Sequence, residues 1–282
     1  MATFRQRAGP QSRGSSMGRI IVALVVAAFA LISYFGSSVY NPVTDEEQRV
    51  AITQEQEIAL GLQSAPELTQ QFGGLHPDQQ AQNHLDQVCE RIISRSQASE
   101  TDYPFECELL DDPQTINAFA LPGGPVFITS ALFSELETEG QLAGIMAHEI
   151  GHVVARHSAQ QIARAELAQG LSGAAVIATY DPNDPRTQQT AQVAALISQV
   201  VNMRFGRDDE LQSDRLGVRF MADAGYDPRA MIRVMEILGQ ASEGPRPPEF
   251  FSTHPNPENR IERIEEAIAE LYPQGVPEGL DP

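Results

Sequence analysis

The feature that most constrains this 282-residue chain is a pair of histidines, His148 and His152, with Glu149 beside the first. Residues four positions apart lie on one face of an α-helix, so both imidazoles can reach one metal ion if this segment is helical. The flanking sequence favours a helix, because apolar residues recur at helical spacing after a capping signal at Thr138 and Gln141. The pattern therefore predicts a helical metal site, and the alternative interpretation is a helix with surface histidines.

A catalytic zinc ion takes three protein ligands and keeps its fourth position for water. A metzincin-type third histidine would stand at position 158, which is Ser158, and His157 misses that position by one residue. The acidic run after Phe205 offers Glu210 and Asp214 instead, one helical turn apart. We expect Glu210 to bind the metal and Asp214 to accept the outward N–H of a metal-bound histidine. Taken alone, the acidic run would be interpreted as a solvated helix face.

Helical periodicity dominates the body of the chain. A capping box at Thr44 and Glu47 predicts a helix that ends near Gln71, just before two glycines. The helix that carries the histidines is expected to run from Thr138 to about Ala168. Further helices are predicted over residues 78–97, 187–224, 227–238 and 257–272.

One segment, residues 103–133, has the composition of strands rather than of helices. Proline- and glycine-rich turns divide it into short runs rich in apolar, aromatic and β-branched residues. We expect three strands, at Phe105–Leu110, Ala118–Leu121 and Pro125–Thr129. The predicted fold class is α+β and helix-dominated, with a small β-sheet beside the active-site helix, in a single domain.

The N-terminal segment has the pattern of a membrane anchor. Residues 1–19 carry four arginines and no acid, and an apolar run from Ile20 to Phe35 extends to residue 40, which is long enough to span a bilayer. Because positive residues stay on the cytoplasmic side, residues 1–19 are a predicted cytoplasmic tail, 20–40 an anchor and 41–282 an extracytoplasmic domain. A cleaved signal peptide is the alternative and exports the same domain, whereas a buried core helix is a third interpretation.

The charge of the chain limits its partners. The formal net charge is −19, and every basic residue is an arginine. So acidic a body excludes nucleic acid as the expected partner, because phosphate binding needs a basic face. It also disfavours docking on anionic lipid, which leaves the apolar N-terminal segment as the predicted membrane contact. The sequence does not indicate an oligomeric state.

Two cysteines, Cys89 and Cys107, are the only ones in the chain. An even number of cysteines in an exported protein favours one disulfide bond. Two free buried thiols are the alternative. A catalytic cysteine is not expected, because neither residue has a basic neighbour in sequence that would lower its pKa.

Four motifs in order along residues 50–270 resemble one protein family, the M-forty-eight gluzincin metallopeptidases, which include the CAAX prenyl proteases, HtpX and the OMA-type proteases. The matching segments are residues 117–124, 148–157, 210–215 with 224–228, and 252–255 with Arg260 and Ile261. The resemblance implies a zincin-like fold and a zinc-dependent endopeptidase with one Zn²⁺ per chain that acts on proteins or peptides.

The same resemblance assigns roles to individual residues. It implies that His148, His152 and Glu210 are the zinc ligands and that Glu149 is the general base. Asp214 would pair with His148, and His254 and Arg260 would belong to a loop that faces the zinc. The strand and turn that resemble the family's substrate-binding edge strand contain Ala118, Phe119, Ala120, Leu121, Gly123 and Gly124.

His254 has two open functional interpretations. Relatives often have a tyrosine where Phe205 stands, so His254 could donate the hydrogen bond to the oxyanion that Phe205 cannot. Alternatively, its imidazole could occupy the fourth position of the zinc and keep the enzyme inactive at rest. The alternative without a functional role is a surface histidine in a proline-bounded loop.

The single candidate membrane span distinguishes the chain from relatives with several spans. It therefore looks more similar to exported bacterial members of the family that act in envelope protein quality control. A non-proteolytic envelope chaperone on the same fold is the runner-up. The presence of Glu149 favours an enzyme, because a protein of this fold that had lost its proteolytic activity would be expected to lose its general base as well.

Overall fold

The computed structural model describes residues 14–179, 205–242, 248–254 and 259–282. The chain divides into two compact units, residues 1–37 with 164–202 and residues 38–163 with 203–282. The first unit contains helix α1, Gly14–Gly36. Within α1, Met17–Gly36 has a mean hydropathy of 2.2 and is the one described helix long and apolar enough to cross a membrane. It fits a membrane anchor or a signal sequence.

The second unit is helix-dominated α+β, as the sequence predicts. It begins with a hairpin of two strands, β1 (Ser38–Asn41) and β2 (Glu46–Arg49). Two helices follow, α2 (Gln54–Gln71) and α3 (Gln79–Arg95), and then a short 3₁₀ helix (Gln97–Glu100). The small sheet consists of β3 (Glu106–Leu110), β4 (Ala118–Ala120) and β5 (Pro125–Thr129). The remaining helices are α4 (Ser130–Glu135), α5 (Glu139–Val154), α6 (His157–Thr179), α7 (Arg207–Ala224), α8 (Ala230–Ser242), α9 (Phe250–Thr253) and α10 (Arg260–Leu271). Of these, α6 (His157–Thr179) continues into the first unit.

The sheet has the order β3-β5-β4. β3 lies parallel to β5, and β4 lies antiparallel to it with Phe119 opposite Phe127. The outer edge of β4 has no strand paired to it in the part of the chain that the structure describes. All three strands lie where the sequence predicts them. Because β4 is an edge strand, an added chain can pair with its outer side.

The capping box predicted at Thr44 and Glu47 is wrong. Residues 38–49 form an antiparallel hairpin, β1-β2, in which Glu47 pairs with Tyr40 in the middle of a strand. Asp45 turns the chain with a φ of 57°, a left-handed conformation that a helix start does not allow. The capping box belongs to Thr53, whose hydroxyl and backbone N–H both bond Gln56 at the start of α2.

The helix predicted from Thr138 to Ala168 is two helices. α5 ends at Val154, Arg156 takes a φ of 56°, and α6 begins at His157. The break turns the Arg156 guanidinium towards α2, where its Nε lies 2.7 Å from Oε1 of the buried Glu57. Burial of this ion pair provides the physical reason for a strained residue at the end of α5. The predicted start of another helix at residue 187 lies outside the described residues.

Helix α5 is buried from Gly140 to Val154 and packs against α7. Gly151 permits the close approach, because a Cβ at that position would lie 2.8 Å from the Ser213 hydroxyl on α7. The face of α5 that bears the histidines therefore meets the acidic first half of α7. Asp209 caps that helix by accepting the backbone N–H of Gly206 at 2.8 Å.

A disulfide bond joins Cys89 in α3 to Cys107 in β3, across 18 residues of sequence. Both residues are buried in the main apolar core. In the chain-entropy model a crosslink of this span stabilises the fold by about 3 kcal/mol. The bond therefore fixes α3 against the small sheet.

The turn after β4 gives the first test of this packing. Gly123 has a φ of +79°, and a Cβ there would lie 2.4 Å from backbone atoms of Ile58 in α2. We expect Gly123→Ala to cost about 1–3 kcal/mol through overpacking, in addition to the roughly 1–2 kcal/mol cost of a left-handed alanine. The measurement is the thermal unfolding midpoint of the purified chain.

Gly74→Ala is the matched control. Gly74 also has a positive φ, +94°, but nothing lies within 4 Å of an added Cβ. It therefore reports the backbone strain without the collision. Equal losses of stability in the two variants would contradict the close contact between the turn and α2.

Candidate metal centre

Three separate parts of the chain converge on one buried cluster. Helix α5 supplies two imidazoles and a carboxylate, α7 supplies two carboxylates, and the segment from α9 to α10 supplies an imidazole and a guanidinium. Their side chains are all buried, and they are His148, Glu149, His152, Glu210, Asp214, His254 and Arg260. The structure thus brings together the predicted ligands, the predicted base and their predicted neighbours.

The ligand atoms are spaced as a metal ion requires. The Nε2 atoms of His148 and His152 are 3.0 Å apart, and the carboxylate of Glu210 lies 3.6 and 3.5 Å from them. Nδ1 of His254 lies 3.1 Å from Glu210 Oε1, and one ligand atom from each of the four residues lies within 4.8 Å of the others. Ligands bound at about 2.1 Å in a tetrahedron are roughly 3.4 Å apart, so the group fits a metal ion.

The environment of Glu149 also indicates a metal ion with a bound water at this site. Its side chain is fully buried, yet neither carboxylate oxygen has a hydrogen-bond partner among the described residues. Burial raises the pKa of Glu149, and the charge of Glu210 adds to this effect, whereas His254 and His148 oppose it. An unpartnered buried carboxylate is costly, and a water bound at the adjacent metal position would satisfy it.

Asp214 holds His148 from the side opposite the cluster. Its Oδ1 lies 2.8 Å from Nδ1 of His148, which turns Nε2 towards the other ligand atoms. Arg260 donates to both oxygens of Asp214, at 2.7 Å from Nε and 2.8 Å from Nη2. Burial disfavours the ionised form of Asp214, but the Arg260 charge and the bond to His148 outweigh it and hold the pKa of Asp214 below its usual range. Asp214 therefore stays a carboxylate that accepts the His148 N–H.

His254 lies within the cluster and not at the protein surface. Its ring stacks on Phe250 with centroids 4.4 Å apart, and Nε2 lies 3.6 Å from Glu149 Oε1. This position is adjacent to both the predicted ligands and the predicted base. It is compatible with either functional interpretation, since the same imidazole can reach a metal or a substrate oxygen.

Some neighbours of the cluster were not identified from the sequence as contacts. The ring of Phe205 stacks on His152 with centroids 4.1 Å apart, and the hydroxyl of Ser213 donates to the backbone oxygen of His148 at 2.5 Å. In the sequence, Phe205 is notable only because it lacks the phenol of a tyrosine. Nothing in the local sequence signals these contacts, because each joins elements far apart along the chain.

The predicted substrate strand lies against α5, the helix that carries His148 and His152. β4 packs on α5, with Ala118 buried and Phe119 and Ala120 half-buried. Leu121 donates its backbone N–H to Pro125 at 2.8 Å, and Gly123 and Gly124 both have positive φ. The glycine pair thus makes a tight turn that returns the chain into β5.

Comparison with known proteins decides the family. Residues 79–268 match the model described as Peptidase family M48, and they include every residue of the cluster. The chain belongs to this peptidase family. The predicted resemblance is therefore confirmed.

Individual members of the family show how far the match extends. The chain is 33% identical over 197 residues to the beta-barrel assembly-enhancing protease of Escherichia coli (strain K12), covering 68% of this chain and 39% of that protein. It is 30% identical over 246 residues to the mitochondrial metalloendopeptidase OMA1 of Schizosaccharomyces pombe (strain 972 / ATCC 24843), covering 85% and 69%. The chain thus spans about two fifths of the length of the first of these peptidases, since the covered share is 39%.

The ion pair of Arg260 gives a test of how this family member stabilises its centre. Arg260 is 1% exposed and also lies 3.2 Å from Glu210 Oε2. Removing the charge leaves buried carboxylates uncompensated, which typically costs about 3–5 kcal/mol. We expect Arg260→Met to lose that much stability in urea unfolding of the metal-free chain.

Arg263→Met is the control on the same helix. Arg263 is half-exposed and pairs only across one turn with Glu266, among the contacts that the structure describes. Exposed pairs of this kind contribute about 1 kcal/mol or less. If Arg260→Met lost no more stability than Arg263→Met, the buried pair would not have the structural role assigned to it.

Proposed function

We propose that the chain is a zinc-dependent metalloendopeptidase that cleaves proteins of a membrane or cell envelope. The observation that carries the proposal is the buried carboxylate of Glu149, without a hydrogen-bond partner among the described residues and next to a group of metal-ligand atoms. Two imidazoles with one carboxylate form a donor set that catalytic zinc sites use. Membership of a metallopeptidase family supports the same assignment.

The chemistry divides between the metal and the chain. Zinc, when bound, would polarise the scissile carbonyl and make a nearby water more acidic. Glu149 accepts the proton of the attacking water on a carboxylate oxygen and passes it to the leaving amine. Its two oxygens are buried and have no hydrogen-bond partner among the described residues, so one of them can hold that proton between the two steps. Asp214 keeps the proton of His148 on Nδ1 and so leaves Nε2 available.

Substrate recognition is proposed at the edge of β4. An extended peptide can add to this edge through backbone hydrogen bonds, which depend little on side-chain sequence. The strand packs on α5, so a peptide paired with it would lie along the helix that carries Glu149. The residues proposed to bind substrate are Ala118, Phe119, Ala120, Leu121, Gly123 and Gly124. Such tolerance is what an enzyme acting on misfolded or misassembled proteins needs.

The proposed location follows from α1 and from the disulfide. We propose that residues 1–19 lie in the cytoplasm and 41–282 outside it, with signal cleavage as the alternative. Within the predicted anchor, residues 20–40, the part proposed to cross the membrane is the helix that ends at Gly36, because residues 38–41 form strand β1. The Cys89–Cys107 bond suits an oxidising compartment. The names of the relatives, a beta-barrel assembly-enhancing protease and a mitochondrial metalloendopeptidase, support protein substrates at membranes.

Glu149→Gln tests the proposed reaction. Glutamine keeps the volume of the side chain but cannot accept the proton of the attacking water. We expect casein hydrolysis by the purified full chain to fall at least about a thousandfold, while the zinc content, measured by atomic absorption, stays at one ion per chain.

The control is Glu135→Gln, which makes the same chemical change at an exposed carboxylate at the end of α4. It should leave both activity and zinc content at the wild-type level. Activity of Glu149→Gln within tenfold of wild type would refute the role of Glu149, and a wild-type chain that binds no zinc would refute the proposed cofactor.

His254→Ala distinguishes the two roles of that residue. In this structure the imidazole fills the side of the cluster nearest Glu210 and Glu149, so we propose that it occupies the fourth ligand position at rest. Its removal should then raise the kcat/KM for a short unstructured peptide severalfold, because the position becomes available without displacement.

Ser252→Ala, an exposed change in the same segment, serves as the control and should not alter kcat/KM. A fall of about 10²–10³ in the rate of His254→Ala would instead identify His254 as an oxyanion donor during turnover. Unchanged kinetics and unchanged zinc affinity would exclude both roles.

A further inference from the structure

The outward side of the ligand His152 faces a second buried histidine. Nδ1 of His152 lies 2.8 Å from Nδ1 of His157, the first residue of α6. His157 is fully buried. His148 has a carboxylate in the corresponding place, so the two predicted histidine ligands are held by different kinds of partner.

The protons on this pair follow from simple donor and acceptor rules. If His152 binds metal through Nε2, its only ring proton is on Nδ1, and it must donate there. His157 must then accept on Nδ1, which places its own proton on Nε2. That atom lies 2.9 Å from Oε1 of Gln212, which is an acceptor. The contacts on the two sides of His157 therefore require the same tautomer.

Glu46 fixes the orientation of the Gln212 amide. A glutamine amide can present either its oxygen or its NH₂ group to a neighbour. Nε2 of Gln212 lies 2.7 Å from the carboxylate of Glu46, which can only accept when ionised. The NH₂ group is thus held towards Glu46 and the oxygen towards His157, so that all three hydrogen bonds point the same way.

The strand that carries Glu46 is itself fixed to the end of the metal-binding helix. Asn41 donates to the backbone oxygen of Val154 at 2.8 Å, and Gln48 donates to that of Ala155 at 3.0 Å. Both side chains are buried. The hairpin β1-β2 therefore holds Glu46 in a defined place relative to α5.

We propose that His157, Gln212 and Glu46 are positioning residues that fix the tautomer and ring orientation of the ligand His152. The inference rests on the proposed function, because it requires metal at His152 Nε2. Partners of this kind behind a ligand typically change metal affinity about 10–100-fold when removed.

Gln212→Met tests the central link. Methionine keeps the length of the side chain but removes the acceptor for His157 Nε2–H, so His157 can take the tautomer that no longer accepts from His152. We expect the zinc Kd of the purified full chain, measured by competition with a fluorescent chelator, to rise about 10–100-fold.

Gln160→Met is the matched control. Gln160 is also half-buried and donates to the backbone oxygen of Ala155 at 2.9 Å, but it takes no part in the contacts to His152. Its zinc Kd should remain within twofold of wild type. An equal effect in the two variants overturns the inference.

Gln212→Glu separates positioning from packing. The variant is made together with Glu46→Gln, whose amide can donate to the new carboxylate. The carboxylate keeps an acceptor for His157 Nε2–H, so zinc affinity should stay within about threefold of wild type. Loss of affinity in Gln212→Glu as large as in Gln212→Met overturns the tautomer argument.

Reversing the charge of Glu46 tests the last link. Lysine can only donate, so Glu46→Lys should turn the Gln212 amide around and weaken zinc binding by about tenfold. Glu47→Lys makes the same charge change one residue along the strand and should have no such effect, because Glu47 contacts Ser38 instead. Equal Kd values for the two variants overturn the role of Glu46.

A spectroscopic measurement reads the tautomer directly. Long-range ¹H–¹⁵N spectra of the zinc-loaded wild type should show His157 with its proton on Nε2, and a proton on Nδ1 overturns the inference. Failure of the proposed function would be distinct, since the wild type itself would then bind no zinc or Glu149→Gln would remain active.

Discussion

The organisation of the molecule depends on a balance of buried charge. Among the described residues of the cluster, the carboxylates of Glu149, Glu210 and Asp214 are buried with the single guanidinium of Arg260. Charges removed from water are costly unless they are paired. A divalent ion would compensate the two remaining negative charges, so metal binding and folding are coupled in such a site. This balance explains why Arg260 is buried next to His148, a proposed ligand.

The local part of the site could be predicted because it depends on helix geometry alone. His148 and His152 face one side since they are four residues apart, and Glu210 and Asp214 lie one turn apart for the same reason. That the two pairs meet is a property of tertiary structure: the need of zinc for a third ligand pointed to Glu210 and Asp214, and the family resemblance supported the same pairing. The close packing of α5 on α7 has a local cause in Gly151, but its partner Ser213 is not evident from the sequence.

Errors in the sequence analysis came from patterns that several structures can share. Thr44 with Glu47 and Thr53 with Gln56 offer the same capping pattern, and only the second pair caps a helix. The end of α5 at Val154 cannot be predicted from nearby residues. Its cause is the ion pair of Arg156 with Glu57, which lies 99 residues earlier in the sequence. Propensity in the segment after Val154 favours continued helix, and a long-range buried ion pair overrides it.

The contacts of the two proposed histidine ligands, His148 and His152, limit the negative charge that the fold buries. His148 is held by an ionised Asp214, whose charge Arg260 balances. A second carboxylate behind His152 would add a negative charge to a cluster in which three carboxylates are already buried with one guanidinium. A neutral imidazole, His157, accepts the same N–H without that cost, and the charge that orients it stays on the exposed Glu46. The difference between the two partners is therefore what electrostatics in a buried site would favour.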